Sequence, residues 1–169
     1  MSGFIGYINN KIDKKILKKM NDKIKHRGPD SEEYYIDKNI GIGYRYLSLT
    51  NNKNDINLIF NNKVVVFDGV IFNYEELKKE LIKLKYTFTT DSYEELLIYG
   101  YETWNKELPN KIRGNFAFAI WDIKEKELFL TRDPFGCKPL YYYHKDNVFM
   151  FVSEIKALLE HPDFDKEFN

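Results

Sequence analysis

The order of strand-like and helix-like patterns along the chain constrains its fold more than any other feature. The apolar run at residues 4–8 predicts a first strand, and residues 13–26 carry apolar side chains at helical spacing. Strand-like segments follow, then two consecutive helix patterns, then four strand-like segments between residues 116 and 153. Because strands cluster instead of alternating with helices, the pattern predicts an α+β fold of antiparallel strands with packed helices, and not a doubly wound parallel sheet.

Short polar residues predict where the helices begin, because their side chains can accept from the first free N–H groups. The second and third helix patterns also carry Glu76 and Glu95 at the spacing of a capping box. The strand-like segment at residues 63–72 is expected to be interrupted at Asp68-Gly69, a dipeptide that tolerates positive φ. The candidate caps are Asp13, Asn73, Ser92 and Ser153.

Composition excludes several classes of protein. Lys and Arg together number 26, as do Asp and Glu, so the balance is unlike that of a nucleic-acid-binding protein. One cysteine and three dispersed histidines predict neither a disulfide nor a metal site, and Cys137 is expected to be a packing residue. The absence of a long apolar run or a leader-like pattern predicts a cytoplasmic protein without a membrane partner.

Six stretches occur in an order that resembles one known family. They are similar to the N-terminal glutaminase domain of glutamine-dependent asparagine synthetases, a class-II glutamine amidotransferase of the N-terminal-nucleophile (Ntn) hydrolase type. The resemblance implies a four-layer αββα sandwich of two antiparallel sheets. It places the glutaminase-like domain at residues 1–162, and residues 163–169 at the start of a linker or tail. The stretches are HRGPDSEE (26–33), YRYLSL (44–49), FDGVIFNYEELKKEL (67–81), IRGNFAFAIWD (112–122), LFLTRDPFGCKPLYYY (128–143) and FVSEIKALLEHP (151–162).

The resemblance also assigns the catalytic positions, and these depart from the family pattern. The family nucleophile is a Cys that becomes the N-terminus when Met is removed, and the matching residue here is Ser2. The family oxyanion hole is an Asn-Gly pair, which corresponds to Asp68-Gly69. Gly69 keeps its backbone N–H, whereas an ionised Asp68 offers no donor to a developing negative charge.

The glutamine-binding positions implied by the resemblance have lost their charges. The family Arg that holds the α-carboxylate corresponds to Tyr46, and Arg45 is expected to point to the other face of its strand. The family carboxylates that hold the α-ammonium correspond to Val70 and Tyr93. Leu47 and Leu49 complete the stretch that lines this site in the family.

These substitutions predict a pseudoenzyme whose glutamine site is lost while its fold is kept. Such a domain would act through packing or through a partner, which could be a synthetase-like ATP-pyrophosphatase domain in cis or in trans, or a second copy. Two alternatives stay open: an active amidohydrolase with Ser2 as nucleophile, and an ordinary glutaminase half that supplies ammonia for asparagine biosynthesis. The chain has no Gly-Gly pair for a pyrophosphate loop, so no cofactor or metal is expected.

Overall fold

A computed structural model describes residues 2–47 and 58–166. The helices are α1 (Lys14–Asp22), α2 (Tyr74–Lys83), α3 (Tyr93–Trp104) and α4 (Leu108–Lys111), with 3-10 turns at Lys25–Arg27, Asn105–Glu107 and Ile155–Glu160. The strands are β1 (Gly3–Ile8), β2 (Ser31–Ile36), β3 (Ile40–Tyr46), β4 (Ile59–Phe60), β5 (Lys63–Ile71), β6 (Gly114–Asp122), β7 (Glu127–Arg132), β8 (Tyr141–Lys145) and β9 (Val148–Val152).

The strands form two antiparallel sheets, one in each of two compact units. The first unit comprises residues 1–56 and 139–169, and its sheet has the order β2-β3-β1-β9-β8. The second unit comprises residues 57–138, and its sheet has the order β4-β5-β6-β7. The predicted α+β class with antiparallel sheets and helices is therefore confirmed.

In the first unit, helix α1 covers one face of the sheet. Leu17 and Met20 from the helix pack with Ile5 and Tyr7 from the central strand β1, and all four are buried. Burial of one such side chain contributes about 1.5–3 kcal/mol. The helix begins as predicted, because the side chain of Asp13 accepts a hydrogen bond from the N–H of Lys15.

In the second unit, helices α2 and α3 cover one face of the sheet. Strand β5 pairs with β6 over its whole length, and its residues at alternate positions, Val65 and Phe67, pack with Leu77 and Leu96 from the helices. Side chains alternate between the faces of a strand, so Asp68 must lie on the opposite face from this helical layer. The pairing therefore sets the direction in which the candidate oxyanion position points.

Cys137 was expected to be a packing residue, but the structure places it at the surface, where it is exposed.

Three expectations about strands and helix caps were also wrong. Strand β5 is not interrupted at Asp68-Gly69, since both residues stay in register with β6. Asn73 occupies the N-cap position of α2 without a capping hydrogen bond, because its side chain instead bonds the carbonyl of Lys111 and the N–H of Arg113. Ser153 precedes a 3-10 turn and does not cap it, since its hydroxyl accepts from the N–H of Phe4.

The third predicted cap is confirmed in part. Ser92 accepts from the N–H of Glu95, as a capping residue should. The carboxylate of Glu95 does not return to the cap, and binds instead the backbone and hydroxyl groups of Thr89 and Thr90.

Among residues 2–47 and 58–166, no helix combines the length and the apolarity needed to cross a bilayer.

Candidate functional site

The backbone around Ser2 is held in place by side chains from distant parts of the first unit. The carbonyl oxygen of Ser2 accepts a hydrogen bond of 2.9 Å from Nε of Arg27. The next residues are fixed by a reciprocal pair, in which the N–H of Phe4 donates to Oγ of Ser153 and the N–H of Ser153 donates to the carbonyl of Phe4, each at 2.9 Å. Ser2 therefore stands at a rigid, half-buried start of strand β1.

An ion-pair cluster anchors the turn that supplies Arg27. Nη1 of the buried Arg27 lies 3.3 Å from Oε1 of Glu154, and His26 contacts the same oxygen at 2.8 Å. Burial raises the pKa of Glu154, but hydrogen bonds from Lys156, His26 and Arg27 outweigh it, so this pKa lies below its usual value. The HRGPD stretch therefore positions Arg27 at the carbonyl of Ser2.

Gly28 brings the same turn against strand β3. A Cβ atom at this position would lie 2.4 Å from the backbone nitrogen of Tyr46, which is closer than any real contact. Because only a residue without Cβ fits here, Gly28 fixes the distance between the turn and the strand that carries Tyr46.

Tyr46 is the last residue of β3 and adjoins the start of β1. Strands β1 and β3 are antiparallel, and Gly3 pairs with Arg45. If the same pairing is extended by one residue, Tyr46 lies opposite Ser2. The ring of Tyr46 packs against that of Tyr44, with 6.3 Å between centroids. Leu47 follows it and is half-buried, whereas Leu49 lies outside the described residues.

Arg45 points away from Tyr46, as the strand alternation predicts. Its guanidinium donates to the carbonyl of Asn21 and forms ion pairs with Asp22 and Glu32. These partners lie on α1 and β2 and hold the side chain almost completely buried. Arg45 is therefore committed to a structural cluster and does not replace the Arg that the family has at position 46.

Asp68 is a buried carboxylate with a lysine partner. It lies within β5 opposite Ala117, and only 1% of its surface is exposed. Nζ of Lys138 is 3.3 Å from its Oδ1. The side chain at this position accepts a hydrogen bond from a cation, which is the reverse of the donor role that the family Asn performs.

Gly69 has a conformation that other residues rarely adopt. Its φ is +149°, and a Cβ atom would lie 2.1 Å from the carbonyl oxygen of Asn115 on β6. The backbone at this position can exist only with glycine. The backbone therefore requires glycine at this candidate oxyanion position.

The loop after β7 is organised by one carboxylate. Asp133 accepts hydrogen bonds from the backbone N–H groups of Phe116, Phe135, Cys137 and Lys138, at distances of 3.0–3.3 Å. Burial raises the pKa of Asp133, but these N–H donors outweigh it, and the pKa lies below its usual value. The loop holds the backbone of Lys138 in place, and the Lys138 ammonium reaches Asp68.

Val70 and Tyr93 are on opposite faces of the sheet in the second unit. Val70 shares the face of Asp68 and is 46% exposed. The ring of Tyr93 packs against Phe67 at 5.0 Å and Tyr74 at 5.6 Å between centroids, on the face that the helices cover. The Asp68 side chain points to the opposite face of the sheet from the Tyr93 ring. The assignment of Val70 and Tyr93 to a glutamine site stays a prediction.

Comparison with known proteins identifies the family. All 169 residues, 1–169, match a family model described as a glutamine amidotransferase domain. The chain belongs to this family. Like the sequence motifs, the match extends over both units, so the amidotransferase domain accounts for all described elements.

Curated relatives of the amidotransferase domain are longer proteins. Asparagine synthetase [glutamine-hydrolyzing] 1 of Bacillus subtilis is 40% identical over 168 residues, which cover 94% of this chain and 27% of the relative. Putative asparagine synthetase [glutamine-hydrolyzing] 2 of Methanocaldococcus jannaschii is 32% identical over 193 residues, covering 100% of this chain and 37% of the relative. The chain thus spans roughly a quarter to a third of the length of these relatives.

A solved structure agrees with the fold of the amidotransferase domain. The glutamine phosphoribosylpyrophosphate amidotransferase from B. subtilis, complexed with ADP and GMP, has a TM-score of 0.76. The match covers 92% of this chain and 42% of that chain at 18% identity. At this identity the likeness concerns the fold alone.

Sequence reasoning missed Lys138 and Asp133, which carry much of the electrostatics of the second unit. Lys138 is 70 residues from Asp68 along the chain, so no local pattern pairs them. Asp133 had a weak signal, because an Asp followed by Pro and Gly often starts a turn. That signal predicts a turn but not the number of N–H groups that its carboxylate receives.

We predict that the amidotransferase domain loses stability in acid, in part through Asp133. A carboxylate whose folded pKa is lowered stabilises the fold above its unfolded pKa of about 3.9 and ceases to do so as the pH falls through its folded pKa. Replacement of Asp133 by Asn should lower the free energy of unfolding at pH 7 by about 2 kcal/mol, and should flatten its decrease below pH 4. Urea unfolding between pH 7 and pH 2.5 measures both effects.

The matched control for this experiment is Asp146→Asn. Asp146 is an exposed turn residue with φ of 52°, a conformation that Asn tolerates. This variant should follow the pH profile of the natural chain. An Asp133→Asn profile parallel to that of the natural chain would contradict the role given to this carboxylate.

Proposed function

We propose that this glutamine amidotransferase domain has no glutaminase activity and serves as a structural or partner-binding domain of an asparagine-synthetase-like protein. The observation that carries the proposal is the buried ion pair between Asp68 and Lys138. The family uses an amide donor at this position, and loss of one oxyanion-hole donor costs about 2.7–4 kcal/mol in the transition state.

The residue at the nucleophile position supports the same proposal. Ser2 offers a hydroxyl, of which far less ionises near neutral pH than of the family Cys. A swap at this position alone would leave the rest of the site unchanged. Here Tyr46, Val70 and Tyr93 have also replaced charged residues, and a zwitterionic amino acid needs a counter-charge for each of its ends.

The packing of Tyr93 indicates that the change has been accommodated by the fold. Its ring joins the aromatic cluster with Phe67 and Tyr74, where a carboxylate would lie beside apolar rings. A buried charge without close partners is costly, so replacement of Asp by Tyr favours the folded state.

The proposed partner is a synthetase-like ATP-pyrophosphatase domain in cis or in trans. The curated relatives are asparagine synthetases about three to four times as long as this chain, so they contain further sequence for such a domain. A cytoplasmic location and self-association through the same domain belong to the proposal as well.

A second candidate is an amidohydrolase with Ser2 as nucleophile. Two observations favour it: the rigid anchoring of Ser2 by Arg27, and the retained backbone geometry of Gly69. Its substrate would be an amide with fewer charges than glutamine. This activity requires removal of Met1, which N-terminal mass measurement detects.

The proposal is tested by glutamine hydrolysis with the purified natural chain and its Ser2→Cys variant. Neither should release ammonia or glutamate above a no-protein control, because a better nucleophile alone restores neither charge recognition nor the amide donor. Ser2→Ala serves as the control for contaminating glutaminase. Turnover by Ser2→Cys that Ser2→Ala lacks would overturn the proposed loss of the site.

A further inference from the structure

We infer that Lys138 is a positioning residue for the side chain at position 68. Its ammonium lies 3.3 Å from Oδ1 and so holds one of the two branches of that side chain. With Asp68 the second branch is an oxygen, and position 68 presents only acceptors. This inference deepens the proposed function, on which its link to the oxyanion position rests.

The burial of both partners makes the pair more than a surface contact. Asp68 has 1% of its side chain exposed and Lys138 has 16%. A carboxylate at such a site loses most of its hydration, and a close cation compensates for that loss. Removal of the ammonium would therefore take this compensating cation away from a buried carboxylate.

The position of Lys138 is fixed by its backbone. Its N–H donates to Oδ2 of Asp133 at 3.0 Å, and the same carboxylate binds three further N–H groups. The lysine side chain therefore starts from a fixed point, which lowers the entropy lost when its ammonium is held at Asp68.

The inference predicts that replacing Lys138 and replacing Asp68 affect stability to different extents. In Asp68→Asn the amide oxygen still accepts from Lys138, so the amide nitrogen takes the other branch and makes it a donor. In Lys138→Met the carboxylate stays buried without the ammonium. The lysine should therefore matter more to stability than the charge on residue 68.

A double-mutant cycle in urea tests the pairing, with Asp68→Asn, Lys138→Met and the double variant. Lys138→Met should lower the folding equilibrium constant on the order of a hundredfold. Asp68→Asn should lower it by less than about tenfold, since the hydrogen bond from the ammonium is kept. The folding equilibrium constant of the double variant should be at least about tenfold larger than the value expected if the two single effects were additive in free energy. This difference corresponds to about 1.4 kcal/mol of coupling.

The matched control cycle uses Glu76→Gln and Arg113→Gln. That pair is also an ion pair of the second unit, but its side chains are 70% and 67% exposed. Its coupling should be small and should vanish in about 1 M NaCl, whereas the coupling between residues 68 and 138 should persist. Equal coupling and equal salt dependence of the two cycles would overturn the inference.

Positioning is tested separately by the side-chain amide signals of residue 68 in Asp68→Asn. With Lys138 present, nuclear magnetic resonance should show one sharp pair of N–H resonances that exchange slowly. Asp68→Asn/Lys138→Met should broaden or shift the pair, and Asp68→Asn/Lys138→Arg should restore it. Unchanged resonances without the lysine would overturn the positioning role.

These results are independent of glutamine turnover. If Lys138→Met does not fold, the double variant still tests the inference, because it must fold better than Lys138→Met. If neither coupling nor hydrolysis is observed, the role of Lys138 is refuted but the proposed function is not. Hydrolysis by the natural chain refutes the proposed function, whatever the coupling.

Discussion

Restoring all five family residues together is expected to give the amidotransferase domain a glutaminase activity that no single change provides. The variant combines Ser2→Cys, Tyr46→Arg, Asp68→Asn, Val70→Glu and Tyr93→Asp. Each change supplies a part that works only with the others, since residues of one site are strongly non-additive. We expect hydrolysis at least about a hundredfold above the best single variant, given the effect of one oxyanion donor. Ammonia release at saturating glutamine measures it.

The same five changes are expected to lower stability, chiefly through Tyr93→Asp. Removal of this ring takes away its contacts with Phe67 and Tyr74, at about 2 kcal/mol for a half-buried aromatic side chain. Urea unfolding must therefore accompany the assay. A control with the four pocket changes and Ser2→Ala should bind glutamine without hydrolysing it. Full activity from Ser2→Cys alone would contradict the account.

Gly69→Ala is expected to cause the largest loss of stability of any single change considered. A methyl group there would lie 2.1 Å from the carbonyl oxygen of Asn115, and φ of +149° is strained for alanine. Because the clash is with backbone in the middle of the β5–β6 ladder, side chains cannot relieve it. We expect a loss of about 4 kcal/mol or failure to fold, measured by urea unfolding and circular dichroism.

Gly136→Ala separates the two causes of this loss. Gly136 also has positive φ, of 65°, but its added Cβ would come no closer than 3.4 Å to the side chain of Arg132. This control should cost only about 1 kcal/mol, the strain of a left-handed residue. Equal losses at positions 69 and 136 would show that the approach of β6 to Gly69 does not matter.

Local sequence patterns predicted the elements whose determinants lie close together in the chain. Asp13 precedes its helix and accepts from Lys15, two residues away, and Ser92 caps α3 in the same local manner. The hairpin of β2 and β3 is also local, since three polar residues join its two strands. Such signals depend on near neighbours, so the sequence reveals them directly.

The errors arise where a distant partner takes the side chain. Asn73 and Ser153 both have capping chemistry, but Asn73 bonds Arg113 and Ser153 bonds Phe4, 149 residues away. Asp68-Gly69 has the composition of a turn, yet pairing with β6 makes it part of a strand. In each case the tertiary contact outweighs the local preference.

The candidate site likewise combines residues that the sequence could indicate with contacts that it could not. Resemblance to the family proposes Ser2, Asp68 and Gly69 as site positions, because those positions lie beside sharp motifs. It could not indicate that Lys138 would neutralise Asp68 or that the ring of Tyr93 would join the helix-side cluster, since both depend on packing in three dimensions.

The most direct test of the proposed loss of the glutamine site is a calorimetric titration of the purified natural chain with L-glutamine. The titration extends to about 10 mM, above the roughly 1 mM upper end of common Michaelis constants. The account predicts no saturable heat, while the variant with four pocket changes and Ser2→Ala binds. Saturable one-to-one binding by the natural chain, followed by release of glutamate, would contradict it.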